Sequence, residues 1–354
     1  MTSRTIDFRY KVLRNGADYG FLQSVSAPSI RCDNLAAIKM SFSGVFLPEA
    51  RDAFGNVISV DYLSDEIEPI LIIDGVEHKL GVFLPATVTP SESAGAAQVQ
   101  IEAFDRCWRV RDVYSEALTY FAEGTPYLTA IESLLTQAGI TTVLATPTAA
   151  VLAEAREDWN IGTSYLTIVN DLLAEINYNP LWFNQDGVAI LEPASVPTAA
   201  NIEHTLDADN VESLIIPEIS RQTDIYQAPN VFVAYCANPD KTGIWTATAE
   251  NTNPQSPLSV QRRGRRIMKV ERLDNIASEA LLQDYVAQKR NNSMISGETI
   301  NIQTALLPGY GVADVVALHY GEISAVCIDR AWSMNLTVGG TMNHTLERVV
   351  YNLE

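Results

Sequence analysis

Four histidines are the side chains best suited to acid–base or metal chemistry: His78, His204, His319 and His344. None stands in a H-E-x-x-H arrangement, and no pair has the short spacing that would bring two imidazoles to one metal ion. His319 follows the apolar run Val315-Val316-Ala317-Leu318, where a strand-end histidine reads as structural. Cys32, Cys107, Cys236 and Cys327 are far apart with no C-x-x-C pair, which predicts four reduced, mostly buried thiols rather than a zinc site or disulfide framework. Glu154, Glu157 and Asp158 cluster after an apolar stretch, but a glycosidase needs two carboxylates facing each other across a cleft, and a solvated loop accounts for them. No G-x-S-x-G elbow, no phosphate-binding G-x-x-x-x-G-K-[ST] loop and no strand–G-x-G-x-x-G–helix unit is present. Gly309-Tyr310-Gly311 and Gly339-Gly340 read as turns. The expectation is no catalytic, cofactor or metal residues, and no enzyme.

One charged motif stands out. Gln261-Arg262-Arg263-Gly264-Arg265-Arg266, with Lys269, is a dense positive run in a chain whose net charge is −19. It is either a solvated loop or a contact with an acidic neighbour, another copy of this chain included. Arg262, Arg263, Arg265 and Arg266 are therefore the candidate protein-interface residues. The overall acidity repels phosphate backbones and argues against nucleic-acid binding as a function. No stretch is apolar enough for a leader or a bilayer span, so the expected product is soluble and made in the cytoplasm.

The elements that carry these residues fall into three segments of the 354-residue chain. Residues 1–108 read as antiparallel β. Phe8 to Leu13 leads into Asn15-Gly16, a hairpin signal because both positions accept positive φ. Ile70 to Ile73, Asp74-Gly75 and Val76 to Leu84 repeat it, and Gln98 to Phe104 alternates polar and apolar. Residues 109–200 read as a small α+β domain. Thr125 would cap a helix opened by Pro126, with the stripe Leu128, Ile131, Leu134, Leu135 and Ala138, the stop Gly139 and the contact residue Ile140. A second helix starts at Thr163 or Ser164 with Leu166, Val169, Leu172, Leu173 and Ile176 inward, followed by a hairpin at Pro180 to Leu191. Residues 201–354 return to β. Strands are expected at Asn230–Tyr235, Gly243–Thr248, Ile295–Thr304, Asp314–Tyr320, Ile323–Asp329, Ala331–Val338 and Met342–Tyr351. One flanking helix starts at Asp274 or Asn275 and buries Ile276, Ala280, Leu281, Tyr285 and Val286. Trp332, Met334, Leu336 and Val338 form one inward face.

This order resembles the phage tail and baseplate hub family, the late-control-protein-D group of contractile tails and related hubs of long tails. The resemblance rests on several stretches in sequence: Val99 to Asp105; Gly162 to Leu173 followed by Tyr178, Asp186 and Gly187; Asn230 opening a strand; Asn253 to Ser259 with Gly264 to Ile267; Ile276 to Arg290; Leu307-Pro308-Gly309 to Val316; and Trp332 to Met342. It implies a β-rich α+β fold with two tail-tube-like antiparallel β-barrel domains, 1–108 and 201–354, joined by the small domain 109–200. It also implies a homotrimeric ring that adapts a sixfold tail tube to a threefold spike or tip, with DNA passing through the channel only in transit. The implied partners are a tail tube or distal tail protein, a spike or tip protein and other baseplate proteins. The implied location is the virion tail, with assembly in the host cytoplasm. The alternatives are a tail-tip adhesin, which would show exposed aromatic clusters on loops, and a tail-associated peptidoglycan hydrolase, which would show convergent polar groups in a deep pocket.

Overall fold

The computed structural model describes residues 4–349 except 94, 195–196, 211–213, 224–227, 237–243, 274–275 and 277. The expected helix start at Asp274 or Asn275, the strand start at Gly243 and the strand end at Tyr351 lie outside the described residues.

Two short turns set the register of the first segment. Asn15 and Gly16 take φ of 54° and 75°, which lets strand Ile6–Arg14 fold back on Ala17–Leu22. Asp74 and Gly75 do the same at 50° and 84° between Glu66–Ile73 and Val76–Lys79. The expected run to Leu84 is broken. Gly81 turns the chain at φ 128°, where a Cβ would meet the Phe83 ring at 2.9 Å, and a new strand, Phe83–Ser93, begins. That strand pairs with Ala96–Asp105, whose Val99, Ile101 and Ala103 point inward as the alternation requires.

The two β segments are not independent. Strand Ser29–Asp33 pairs with Met40–Phe46 on one side and with the distant Ile323–Asn335 on the other, from Ser29↔Asn335 to Asp33↔Ala331. A single 16-stranded sheet therefore runs through both ends of the sequence. Its core mixes Tyr10, Phe42 and Phe83 with Ile302, Trp332 and Leu346. Two separate closed barrels were expected, but among the described residues the sheet does not close. It curls back on itself at one bridge, Ser24 to Phe46, flanked by the bonds Val25 N–H to Val45 O (2.8 Å) and Leu47 N–H to Gln23 O (2.9 Å).

The middle segment has its own core, from Cys107 to Leu191. It contains helices α1 (Cys107–Asp112), α2 (Tyr127–Gln137) and α3 (Tyr165–Glu175). Pro126 is itself the N-cap of α2, with extended ψ of 134°, while the Thr125 hydroxyl bonds back to Ala122 O, so the cap lies one residue later than expected. Gly139 stops α2 at φ 79°, and the amide of buried Ile140 reaches Leu135 O at 2.8 Å. Ser164 caps α3, its hydroxyl accepting from Thr167 N–H. Arg156 and Glu175 form a buried pair (2.7 Å), and Tyr127 donates to the same carboxylate (2.7 Å), which ties α2, α3 and strand Arg156–Trp159 together.

The last segment divides. A three-stranded sheet of Trp245–Glu250, Val231–Cys236 and Met268–Leu273 carries helix α5 (Glu279–Met294). Ile276, Leu282 and Val286 are buried against Ala234, Cys236 and Ala247, with Leu281 and Tyr285 on the shoulder. Ala280, expected inside, is exposed. The helix thus packs on this small sheet, and the large sheet takes Ile295–Ala305, Val315–Tyr320, Ile323–Asn335 and Thr341–Val349. The two strands expected at 323–329 and 331–338 are one strand of 13 residues, with a bulge between Asp329 and Ala331. Val338 is 74% exposed, because the chain leaves the strand at Asn335 and turns to Gly339 at φ 76°.

Candidate functional site

The arginine run sits on a built loop. Ser259 caps the short helix α4 (Val260–Arg263), and Gly264 ends it in the left-handed region at φ 62°. Behind it lies Asn230, fully buried. Its amide donates to Leu258 O (3.2 Å) and Arg265 O (3.0 Å), and its carbonyl accepts from Ile267 N–H (2.7 Å). Such a satisfied buried amide fixes the loop's shape. The four arginines divide by role. Arg263 donates to Ala228 O at 2.6 Å, and Arg266 pairs with Glu250. Arg262 and Arg265 are exposed, with no ion-pair partner among the described residues. Strand Met268–Leu273 follows directly. Among the described residues it pairs on one side only, with Val231–Cys236, and it leaves Met268 and Val270 in solvent. Lys269 and Tyr285 of α5 both bond Glu271 (2.7 and 2.6 Å). Burial pushes the Glu271 carboxyl up, but these bonds and Lys289 outweigh it and hold it below its ordinary range. By alternation, Met268 and Val270 lie on the sheet face away from α5.

The middle segment presents a surface of opposite charge. Strands Thr119–Phe121 and Arg156–Trp159 form a two-stranded ribbon, extended by the bridge Tyr114–Ser164. Phe121 packs edge-on to Trp159, leaving Tyr120 outward. Tyr114, Leu118, Tyr120 and Ile161 are all exposed, among the exposed carboxylates Glu116, Glu123, Glu157 and Asp158. The sequence showed the cluster Glu154, Glu157 and Asp158 but not the apolar face beside it.

A third centre has the order of a catalytic triad and lies sealed in the core. His344 Nδ1 meets Asp329 Oδ2 at 2.6 Å, and its Nε2 meets Thr304 Oγ1 at 3.0 Å, the order of a nucleophile–base–acid triad. The Asp329 and His344 side chains have no solvent exposure, and Thr304 is fully buried. The Thr304 hydroxyl also lies within bonding distance of Ala305 O (2.8 Å), so two acceptor sites compete for its one proton. Burial pushes the Asp329 carboxyl up despite His344 beside it. Near it, His204 stacks on Tyr310 and bonds Asp314 (3.0 Å). The four cysteines are all buried.

The segments are joined by charge. Arg106, just beyond strand Ala96–Asp105, donates to Glu66 (2.7 Å) and to Gly187 O of the middle hairpin (2.7 Å), and Lys79 bridges Glu68 and Asp186. Asp105 accepts from Met40 N–H and Cys107 N–H, both 2.8 Å. Its burial raises its pKa to about 6 against these bonds. Among the described residues, no helix is long and apolar enough to cross a membrane.

No protein-family model matches the chain, and no curated protein matches it by sequence. Solved structures do match it. A tail protein from Neisseria meningitidis MC58 is 14% identical, with a TM-score of 0.67 over 96% of both chains. The 43 kDa tail protein of prophage MuSo2 from Shewanella oneidensis is 11% identical, with a TM-score of 0.66 over 97% of this chain and 98% of that one. An E. coli component of the type VI secretion system, described as structurally similar to the T4 bacteriophage tail proteins gp27 and gp5, is 9% identical. Its TM-score is 0.51, over 96% of this chain and 77% of that one. Over nearly its whole length, this chain has the fold of phage tail proteins.

Proposed function

We propose that the chain is a structural hub of a phage or phage-like tail, a homotrimeric ring between a sixfold tail tube and a threefold spike or tip. The observation that carries this reading is the shared fold with two tail proteins over at least 96% of each chain. The type VI component, itself described as similar to tail proteins, supports the same placement. In this reading, segments 1–108 and 201–354 are the two tube-like units, joined by 109–200. The curl of the first segment at Ser24–Phe46 supports a barrel-like role for it. Three copies with two such units each present six similar surfaces to the tube. DNA crosses the ring in transit, and the net charge of −19 favours an acidic channel wall that does not hold phosphates. The role is non-enzymatic, and the one triad-like arrangement described above is sealed from solvent.

Electron microscopy of assembled tails tests this. The expected result is one ring of three copies between tube and tip. A ring of two or six copies, or a position away from the tube axis, would refute it.

A further inference from the structure

Two surfaces that are unpartnered among the described residues are complementary in charge and alike in construction. One is basic: Arg262 and Arg265 beside the open edge of strand Met268–Leu273, with Met268 56% and Val270 55% exposed. The other is acidic: Glu116 and Glu157 around the two-stranded ribbon, with Leu118 55%, Tyr120 61% and Ile161 66% exposed. Open strand edges with exposed apolar neighbours are surfaces that pair unless something guards them. The usual guard, an edge lysine, is tied back here, because Lys269 is held by Glu271 at 2.7 Å.

We propose that these two surfaces meet between copies of the chain, head to tail, the arginine edge of one copy on the acidic ribbon of the next. The occupant is a second copy because the chain carries both complementary halves. Arginine forks bind carboxylates bidentately where an apolar strip excludes water. A contact between two different patches closes into a ring if its rotation allows and otherwise propagates. The inference rests on the hub reading for the closed ring, but not for the surfaces themselves.

The test is a charge exchange, with sedimentation of the full chain at low salt as readout. Wild type associates. Arg262→Glu with Arg265→Glu weakens association on the order of tenfold or more, and so does Glu116→Arg with Glu157→Arg. All four substitutions in one chain restore it, because the charges are exchanged and the match returns. Unchanged circular dichroism separates lost contact from lost fold, since all four side chains are exposed. Three results overturn the inference: wild type stays monomeric, either reversal associates as wild type does, or the fourfold exchange is no tighter than the reversals. The hub reading is decided separately. A threefold ring whose contacts lie elsewhere sinks this inference alone, and a ring of another symmetry sinks the hub reading alone.

Discussion

Replacing His344 by leucine would leave the Asp329 carboxylate without the ring that bonds it, in a site with no solvent exposure. Its second oxygen already lacks a hydrogen-bond partner. An abandoned buried carboxylate escapes by taking up a proton. From its ordinary value of 3.8, that costs about 4 kcal/mol at pH 7 and about 1.6 kcal/mol at pH 5. The sign follows from linkage. A carboxyl whose folded pKa is raised contributes most at low pH and loses that contribution as pH rises through the interval. Because the wild-type carboxyl is already raised, His344→Leu should destabilise by at most about 4 kcal/mol at pH 7, and by less than half as much at pH 5 as at pH 7. Adding Asp329→Val removes the stranded charge, so the double variant should be more stable than the single one at pH 7. Urea unfolding reports this through Trp332, which lies directly across the strand pair from His344. Equal losses at the two pH values, or a double variant weaker than the single, would refute the argument.

Two further outcomes follow from the joint. The Asp105 carboxyl, raised from 3.8 to about 6, should make stability fall by about 3 kcal/mol as pH rises through that interval, and Asp105→Asn should remove this component in urea midpoints taken on either side of it. Arg106→Met removes the main partner of the buried Glu66 but leaves Arg109 at 3.5 Å, so the cost should be about 2 kcal/mol. Amide exchange should rise first at the turn of residues 184–187, whose Gly187 carbonyl Arg106 holds; exchange unchanged there would show that Arg106 does not latch the two segments.

What the sequence made legible was local. Asn15-Gly16, Asp74-Gly75 and the capped α3 could be read because turn and cap chemistry is decided within a few residues. The bulge that fuses 323–335 into one strand could not be read, because the extra residue at Arg330 is absorbed by pairing with a strand elsewhere. Val338 continues an apolar alternation past the point where the strand ends, so periodicity alone placed it inside. The arginine run looked uniform in sequence; only the buried Asn230 and the position of Glu250 decide which guanidiniums turn back and which face out. The cluster Glu154, Glu157 and Asp158 was visible in the sequence, whereas the exposure of Tyr120 and Ile161 is decided by the fold.

The seam between Ser29–Asp33 and Ile323–Asn335 has a consequence in time. Asp33 leaves the ribosome about 300 residues before its partner Ala331, a wait of ~15–60 s at 5–20 residues per second. Through that interval one edge of strand Ser29–Asp33 has nothing to bond, and the core residues that Trp332 and Leu346 will cover stay wet. The nascent chain must carry an open edge until residues 323–335 have emerged, so a strand made about 300 residues later is the one that ends its exposure to other chains.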